Sequence, residues 1–161
     1  MIREMLQSDG QRIIEIYAMG MKTGNATFET EIPSWEEWDS KHHSHSRFVF
    51  VENNKVVGWA AICPVSTRKV YAGVAEVSLY IDVNYSGQGI GTQLMRMVIE
   101  SSERNGIWTL FSVILAENNA SININQVCGF RQIGIREKIA CLDGIWRDTV
   151  IMERRSKSVG I

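Results

Sequence analysis

An apolar run, Leu79-Tyr80-Ile81, leads into Ser86-Gly87-Gln88-Gly89-Ile90-Gly91-Thr92 and then into a segment with helical apolar spacing. Glycine accepts positive φ and has no side chain, so successive backbone N–H groups can turn toward a ligand. A helix starting at once adds unpaired N–H donors and the positive end of its dipole. The chemistry open to such a loop is the grip of a phosphate or pyrophosphate. A second chemical residue stands just upstream. Glu76 interrupts the apolar run Val74-Ala75-Glu76-Val77-Ser78-Leu79, and burial there would raise its pKa toward that of a general base. The competing reading is a strand-end glutamate in solvent or in an ion pair.

Three classes of phosphate site compete for the glycine loop. A P-loop needs Lys and then Ser or Thr after its last glycine, and Gly91-Thr92 has no Lys. A dinucleotide fingerprint needs G-x-G-x-x-G early in a parallel βαβ unit. Gly87-Gln88-Gly89-Ile90-Gly91 misses that spacing by one residue and follows hairpin-like strands. The strand after it does end near an acid, Glu117, so this class is weakened and stays open. The third class is an acetyl-CoA site.

The elements that must hold these residues follow from periodicity. A short strand over Ile2 to Leu6 precedes a helix that Ser8 or Asp9 can cap, with Ile13, Ile14, Ile16, Tyr17 and Met21 at helical spacing. Ser34 and Glu37 form a capping box for a helix carrying Trp35 and Trp38. Arg47 to Glu52 and Lys55 to Cys63 flank Asn53-Asn54, a hairpin signal. Glu76 to Val83 is a strand, Gly91 to Arg104 a helix, Trp108 to Leu115 a strand and Asn118 to Val127 a short helix. Phe130 to Ile139 and Ile145 to Glu153 bracket Asp143-Gly144, a second hairpin signal. Hairpins on either side of one strand–helix–strand crossover predict an α/β (α+β) fold with a mixed sheet. One domain over 1–161 is expected.

Composition narrows the partners. The 161 residues are 45% hydrophobic and 22% charged, with a net charge of −1, the values of an ordinary globular domain. No basic stripe is present, so nucleic acid is not an expected partner. No apolar run approaches ~18 residues, so no membrane span is expected. Cys63, Cys128 and Cys141 are dispersed without a CxxC pair, which predicts buried reduced thiols in a cytoplasmic protein. The run Glu153-Arg154-Arg155-Ser156-Lys157 is expected to be a frayed end. His42, His43 and His45 lie among Ser40, Lys41, Ser44 and Ser46 without a carboxylate or thiolate pattern. They predict a solvated helix end, and no metal site is expected.

The loop resembles the Q/R-x-x-G-x-G/A pattern of the GCN5-related N-acetyltransferases, with Ser86 in place of Gln or Arg. Other residues resemble the phosphinothricin and methionine sulfoximine acetyltransferase branch of that family. They are Thr27-Phe28-Glu29-Thr30, Trp35, Gly58-Trp59-Ala60, Pro64, Arg68, Tyr71, Glu76, Asn118, Ala120-Ser121, Gly129-Phe130 and Gly144-Ile145-Trp146-Arg147-Asp148. The resemblance implies a mixed central sheet flanked by about four helices, with a splayed strand that binds acetyl-CoA.

It also implies roles. Leu79, Tyr80 and Ile81 would present backbone groups to pantetheine; Ser86, Gly87, Gln88, Gly89, Ile90, Gly91 and Thr92 would hold the pyrophosphate; Asn118 would bond the pantetheine arm. Glu76 would be the base, acting through water. Asn125 stands where members place a Tyr or His acid. An amide cannot donate a proton as an acid, though it can orient a water, so Asn125, Tyr80, Tyr85 or solvent must serve. Phe28, Arg68 and Tyr71 match positions that would hold a small amino-acid-like amine acceptor such as phosphinothricin, methionine sulfoximine or methionine sulfone. Trp146 is expected to fill a core or an interface, and a homodimer is expected. The alternatives are another amine (a protein N-terminus, a polyamine or an aminoglycoside) or an acetyl-CoA-binding module without catalysis.

Overall fold

In a computed structural model of residues 1–161, Asn53 and Asn54 both take left-handed φ, +50° and +61°. That geometry closes a tight hairpin, and it joins β2 (Phe48–Glu52) to β3 (Lys55–Pro64). Asp143 and Gly144, at φ +50° and +79°, do the same between β6 (Arg131–Leu142) and β7 (Ile145–Arg155). With β1 (Ile2–Glu4), β4 (Val74–Ile81) and β5 (Thr109–Leu115) they form a seven-stranded sheet in the order β1-β2-β3-β4-β5-β7-β6. Every neighbouring pair is antiparallel except β4–β5.

Helices cover both faces. On one, Leu94, Met95 and Val98 of α3 (Ile90–Arg104) pack on Val57, Val77, Leu110 and Met152, with α4 (Asn119–Val127) alongside. On the other, Ile13 and Ile16 of α1 (Gly10–Lys22) and Trp38 of α2 (Trp35–Lys41) pack on Val49 and Trp59. Burying a side chain of this size contributes about 1.5–3 kcal/mol, so the two apolar layers hold the sheet between them. The expected mixed α/β fold with four helices is what forms. No helix is long and apolar enough to cross a membrane.

Several local expectations are corrected. Ser34 and Glu37 do exchange the two hydrogen bonds of a capping box, at 3.1 and 2.9 Å. Asp9, in contrast, does not cap α1. Its carboxylate pairs with Arg3 at 2.7 Å and accepts the Leu6 N–H at 2.7 Å, closing a 3-10 turn over Gln7–Asp9. The C-terminal charge run is not frayed. Glu153 pairs with Arg131 and Arg154 with Glu103, while the Arg155 guanidinium donates to the carbonyls of Trp108, Ser156, Val159 and Gly160. Of the three free thiols, Cys63 and Cys128 are half-buried and Cys141 is exposed. Trp146 is no core residue, being 62% exposed.

Candidate active site

The crossover strands part almost as soon as they meet. β4 and β5 pair at Val74 with Thr109, Ala75 with Leu110 and Glu76 with Phe111, and no further. Beyond that point β4 continues beside β3 alone, and β5 beside β7 alone. Side chains on a strand alternate between its faces. Val77 therefore joins the α3 core, while Glu76, Ser78 and Tyr80 look toward α1 and α2. Through the opening runs a cleft of about 1140 Å³, lined among others by Glu76, Leu79, Tyr80, Ile81, Asn118 and all of Ser86 to Thr92.

The glycine loop closes one end. Gly87 and Gly89 have φ of +76° and +75°, and no heavy atom lies within 4 Å of a Cβ built on either. The Gln93 N–H bonds back to the Gly89 carbonyl at 3.2 Å, which leaves the N–H groups ahead of it in α3 without intrahelical partners. Gly91 has a different reason to be glycine. A Cβ there would lie 2.6 Å from Ile124 Cδ1, so its absence lets α4 press against the start of α3. Asn118, the N-cap of α4, accepts the Ser121 N–H through Oδ1 at 3.2 Å, leaving its amide nitrogen for the cleft. These residues fit a pyrophosphate and an amide-bearing arm: unpaired donors at a helix N-terminus, then a strand with unpaired backbone.

Glu76 sits half-buried at the fork, directly opposite Cys63 of β3. Burial raises its pKa above the ordinary carboxylate value, and the charge of Arg136 partly opposes the rise. Burial and Glu76 together push the Cys63 thiol up to about 11, so it stays protonated beside the carboxylate. Asn125 is buried, its Oδ1 accepting from Ser112 Oγ at 2.8 Å and its Nδ2 donating to the Ser121 carbonyl at 2.8 Å. The amide is thus held at both ends, and it ties α4 to β5.

The wall facing α1 and α2 is aromatic. The Tyr80 ring stacks on Trp59 at 5.0 Å and meets Tyr17 edge-on at 4.9 Å. Burial raises the pKa of both phenols. His42 overturns the expectation of a solvated helix end. Its ring lies 3.8 Å from Trp38 and is nearly parallel to it, and its Nδ1 is 2.6 Å from the Trp38 carbonyl. A carbonyl only accepts, so Nδ1 carries the hydrogen and Nε2 keeps a lone pair. Burial holds the imidazole neutral, with a pKa of about 4.

The three residues expected to bind the acceptor are not brought together. Phe28 lines the cleft. Arg68 and Tyr71 lie on the exposed β3–β4 loop outside it, the guanidinium 5.5 Å from the centre of the Tyr71 ring. The charged residues lining the cleft are Glu29, Glu31, Glu37, Lys41 and Glu76, with His42 neutral among them.

Two supports of the site escaped sequence reasoning. Asp82, fully buried after β4, pairs with Arg12 of α1 and accepts the Asn84 N–H at 3.0 Å, fixing the chain just ahead of the glycine loop. Arg147 of β7 donates to the Gly24 carbonyl and Asn25 Oδ1 at 2.8 Å each and to Glu117 at 2.9 Å. It joins the loop before Phe28 to the segment before Asn118. The only signal for Asp82 was an acid closing an apolar strand, and Arg147 stood in the quoted motif without an assigned partner.

Comparisons with known proteins agree with this geometry. Residues 11–130 match the model of the acetyltransferase (GNAT) family. Phosphinothricin N-acetyltransferase of Alcaligenes faecalis is 29% identical over 95% of this chain and 81% of its own length. YwnH of Bacillus subtilis is 31% identical over 91% of this chain and 93% of its own. Among solved structures, the GNAT superfamily phosphinothricin acetyltransferase of Sinorhizobium meliloti in complex with acetyl-CoA superposes with a TM-score of 0.90 at 25% identity, covering 99% of this chain and 90% of that one.

Proposed function

The chain belongs to the acetyltransferase (GNAT) family and is an acetyl-CoA-dependent N-acetyltransferase, and from that premise we propose that it acetylates the α-amine of a small amino-acid-like acceptor of the phosphinothricin or methionine sulfone type. The observation that carries this reading is the parting of β4 and β5 at Glu76, with the glycine loop at one end of the opening.

In this proposal the unpaired backbone of Leu79, Tyr80 and Ile81 receives the pantetheine as an added strand, and one N–H polarises the thioester oxygen. The N–H groups of Ser86 to Thr92 hold the pyrophosphate. Glu76, through a bridging water, takes a proton from the acceptor ammonium. The freed amine forms the C–N bond as the C–S bond breaks, the sulfur leaves with the electron pair, and the nitrogen gives up its second proton to water to become the neutral amide. Asn125 holds α4 against β5 and donates no proton. A free thiol has a pKa of about 8.5, so a thiolate can leave without an obligatory acid and take its proton from solvent. The balance at neutral pH is one proton released per acetyl transferred.

Arg68 and Tyr71 do not reach the cleft of their own chain, and we propose that they serve the cleft of a second copy. Support comes from the exposed apolar residues Ile135, Ile139, Ile145 and Trp146 on the β6–β7 hairpin, the kind of surface a homodimer covers. One observation favours a second class of acceptor. Four carboxylates against one lysine line the cleft of the single chain, a field suited to a polyamine or another cation. A thiol-release assay over methionine sulfone, phosphinothricin, spermidine and a peptide N-terminus tests the choice. Turnover of the amino acids at the highest kcat/KM is expected, and preference for spermidine would replace this reading with the second.

A further inference from the structure

Thr149 is the one residue on the cleft wall whose buried side chain has nothing to bond. It is 1% exposed, it lines the cleft, and its Oγ1 has no hydrogen-bond partner. A buried hydroxyl left unpaired is destabilising, and valine would fill the same place in a strand without that penalty. Position decides what the hydroxyl can meet. Thr149 pairs with Leu115 of β5 and Arg136 of β6, and Phe111 of β5 pairs with Glu76. By strand alternation Glu76, Phe111, Leu115, Thr149 and Arg136 all face the α1 and α2 side, where an acceptor would lie. From Phe111 to Leu115 is about 13 Å along the strand. The Glu76 side chain, a bridging water and an acceptor of methionine length span such a distance together. Arg136, whose charge is felt at Glu76, gives this end of the face a cation.

We propose that Thr149 is a specificity-determining residue, its hydroxyl donating a hydrogen bond to an oxygen at the far end of the acceptor's side chain, in a sulfone, sulfoximine or phosphinate group. The inference rests on the acceptor class proposed above and narrows it to amino acids whose tail carries such an oxygen.

Methionine sulfone and methionine differ only in the oxygens on sulfur, so the pair reads the contact directly. Thr149→Val keeps shape and β-branching. The wild type is expected to favour the sulfone in kcat/KM, and the variant to lose at least about tenfold on the sulfone while holding its value for methionine. Thr149→Ser should restore most of the preference. The variant's Tm should rise or hold, since an unpaired buried hydroxyl has been removed. An unchanged sulfone-to-methionine ratio overturns the proposal. So does an increase in acetyl-CoA KM that is the same with both acceptors, which would place the hydroxyl on the donor. A fall in Tm in the variant would also overturn it, since it would mean the hydroxyl already bonds within the fold. Calorimetric binding of methionine sulfone to the CoA-loaded protein separates this inference from the function it rests on. Binding weakened by Thr149→Val without acetyl transfer sinks the function and keeps the contact, and equal affinities sink the contact.

Discussion

Glu76 and Phe111 are the last residues that β4 and β5 pair before the strands separate, so the carboxylate proposed as base stands at the vertex of the opening. The proposal gives it a part in the chemistry rather than in holding the donor. Glu76→Gln should lower kcat by about 10²–10⁴-fold, the range of a lost general base, with acetyl-CoA KM nearly unchanged. Because burial raises the Glu76 pKa, the acidic limb of kcat/KM should lie above the ordinary carboxylate range. Activity should fall as pH drops through it, and the limb should vanish in the variant. A full pH–rate profile of both proteins is the check.

Gly89 precedes α3 at φ +75° with no heavy atom within 4 Å of a Cβ built there. The cost of Gly89→Ala is therefore conformational, about 1–2 kcal/mol. The loop should relax away from left-handed geometry and lose its convergent N–H groups. Acetyl-CoA KM should rise about tenfold or more while acceptor KM stays near its original value, a split that steady-state kinetics resolves.

Asp82 is fully buried against Arg12 and Asn84. Removing the carboxylate leaves Arg12 with Glu15 and the Val56 carbonyl but strips a charged hydrogen bond from a buried site, at a cost of about 1.5–3 kcal/mol. Asp82→Ala should lower the urea midpoint accordingly. Replacing Arg12 and Asp82 together by Met and Leu should recover part of the loss, and chemical denaturation of the three proteins measures both effects.

His42 has an ordinary pKa of 6.5 in the unfolded chain and about 4 in the fold. The unfolded state therefore binds the extra proton between those values. Stability is full above pH 6.5 and is lost as pH falls toward 4, by up to about 3 kcal/mol. His43 and His45, also lowered by burial, act in the same direction. His42→Phe preserves the stack on Trp38 and should flatten the acid side of the curve, read as urea midpoints at pH 7.5, 6 and 4.5.

What could be read in the chain was whatever is local. Asn53-Asn54, the Ser34–Glu37 box and the left-handed Gly87 and Gly89 each act within a few residues of themselves, and each formed as its chemistry dictates, whereas the reason for Gly91 lies in Ile124 of α4. The charge run at 153–157 was misjudged because its partners lie elsewhere, and His42 because Trp38, its partner on the same helix, is itself packed against Trp59. Arg154 meets Glu103 and His42 lies close to Trp59, contacts that exist only once strands and helices are packed. Thr149 was invisible for the same reason, since an unpaired hydroxyl is a property of its surroundings. The placement of Arg68 outside the cleft likewise needed the fold, as nothing in Arg68-Lys69 says which way a loop turns.

The opening between β4 and β5 also bears on how the chain survives before it meets its substrate. Each strand presents, past the fork, a row of backbone donors and acceptors that no neighbour satisfies, and such a bare strand edge is a template for pairing with another chain. Natural sheets blunt these edges with charge or proline, yet Val77 to Ile81 carries neither. A site that binds by strand addition cannot be blunted without being lost. Donor bound there as proposed would act as the missing strand, and the groups it pairs with would be withdrawn from aggregation whenever it is present.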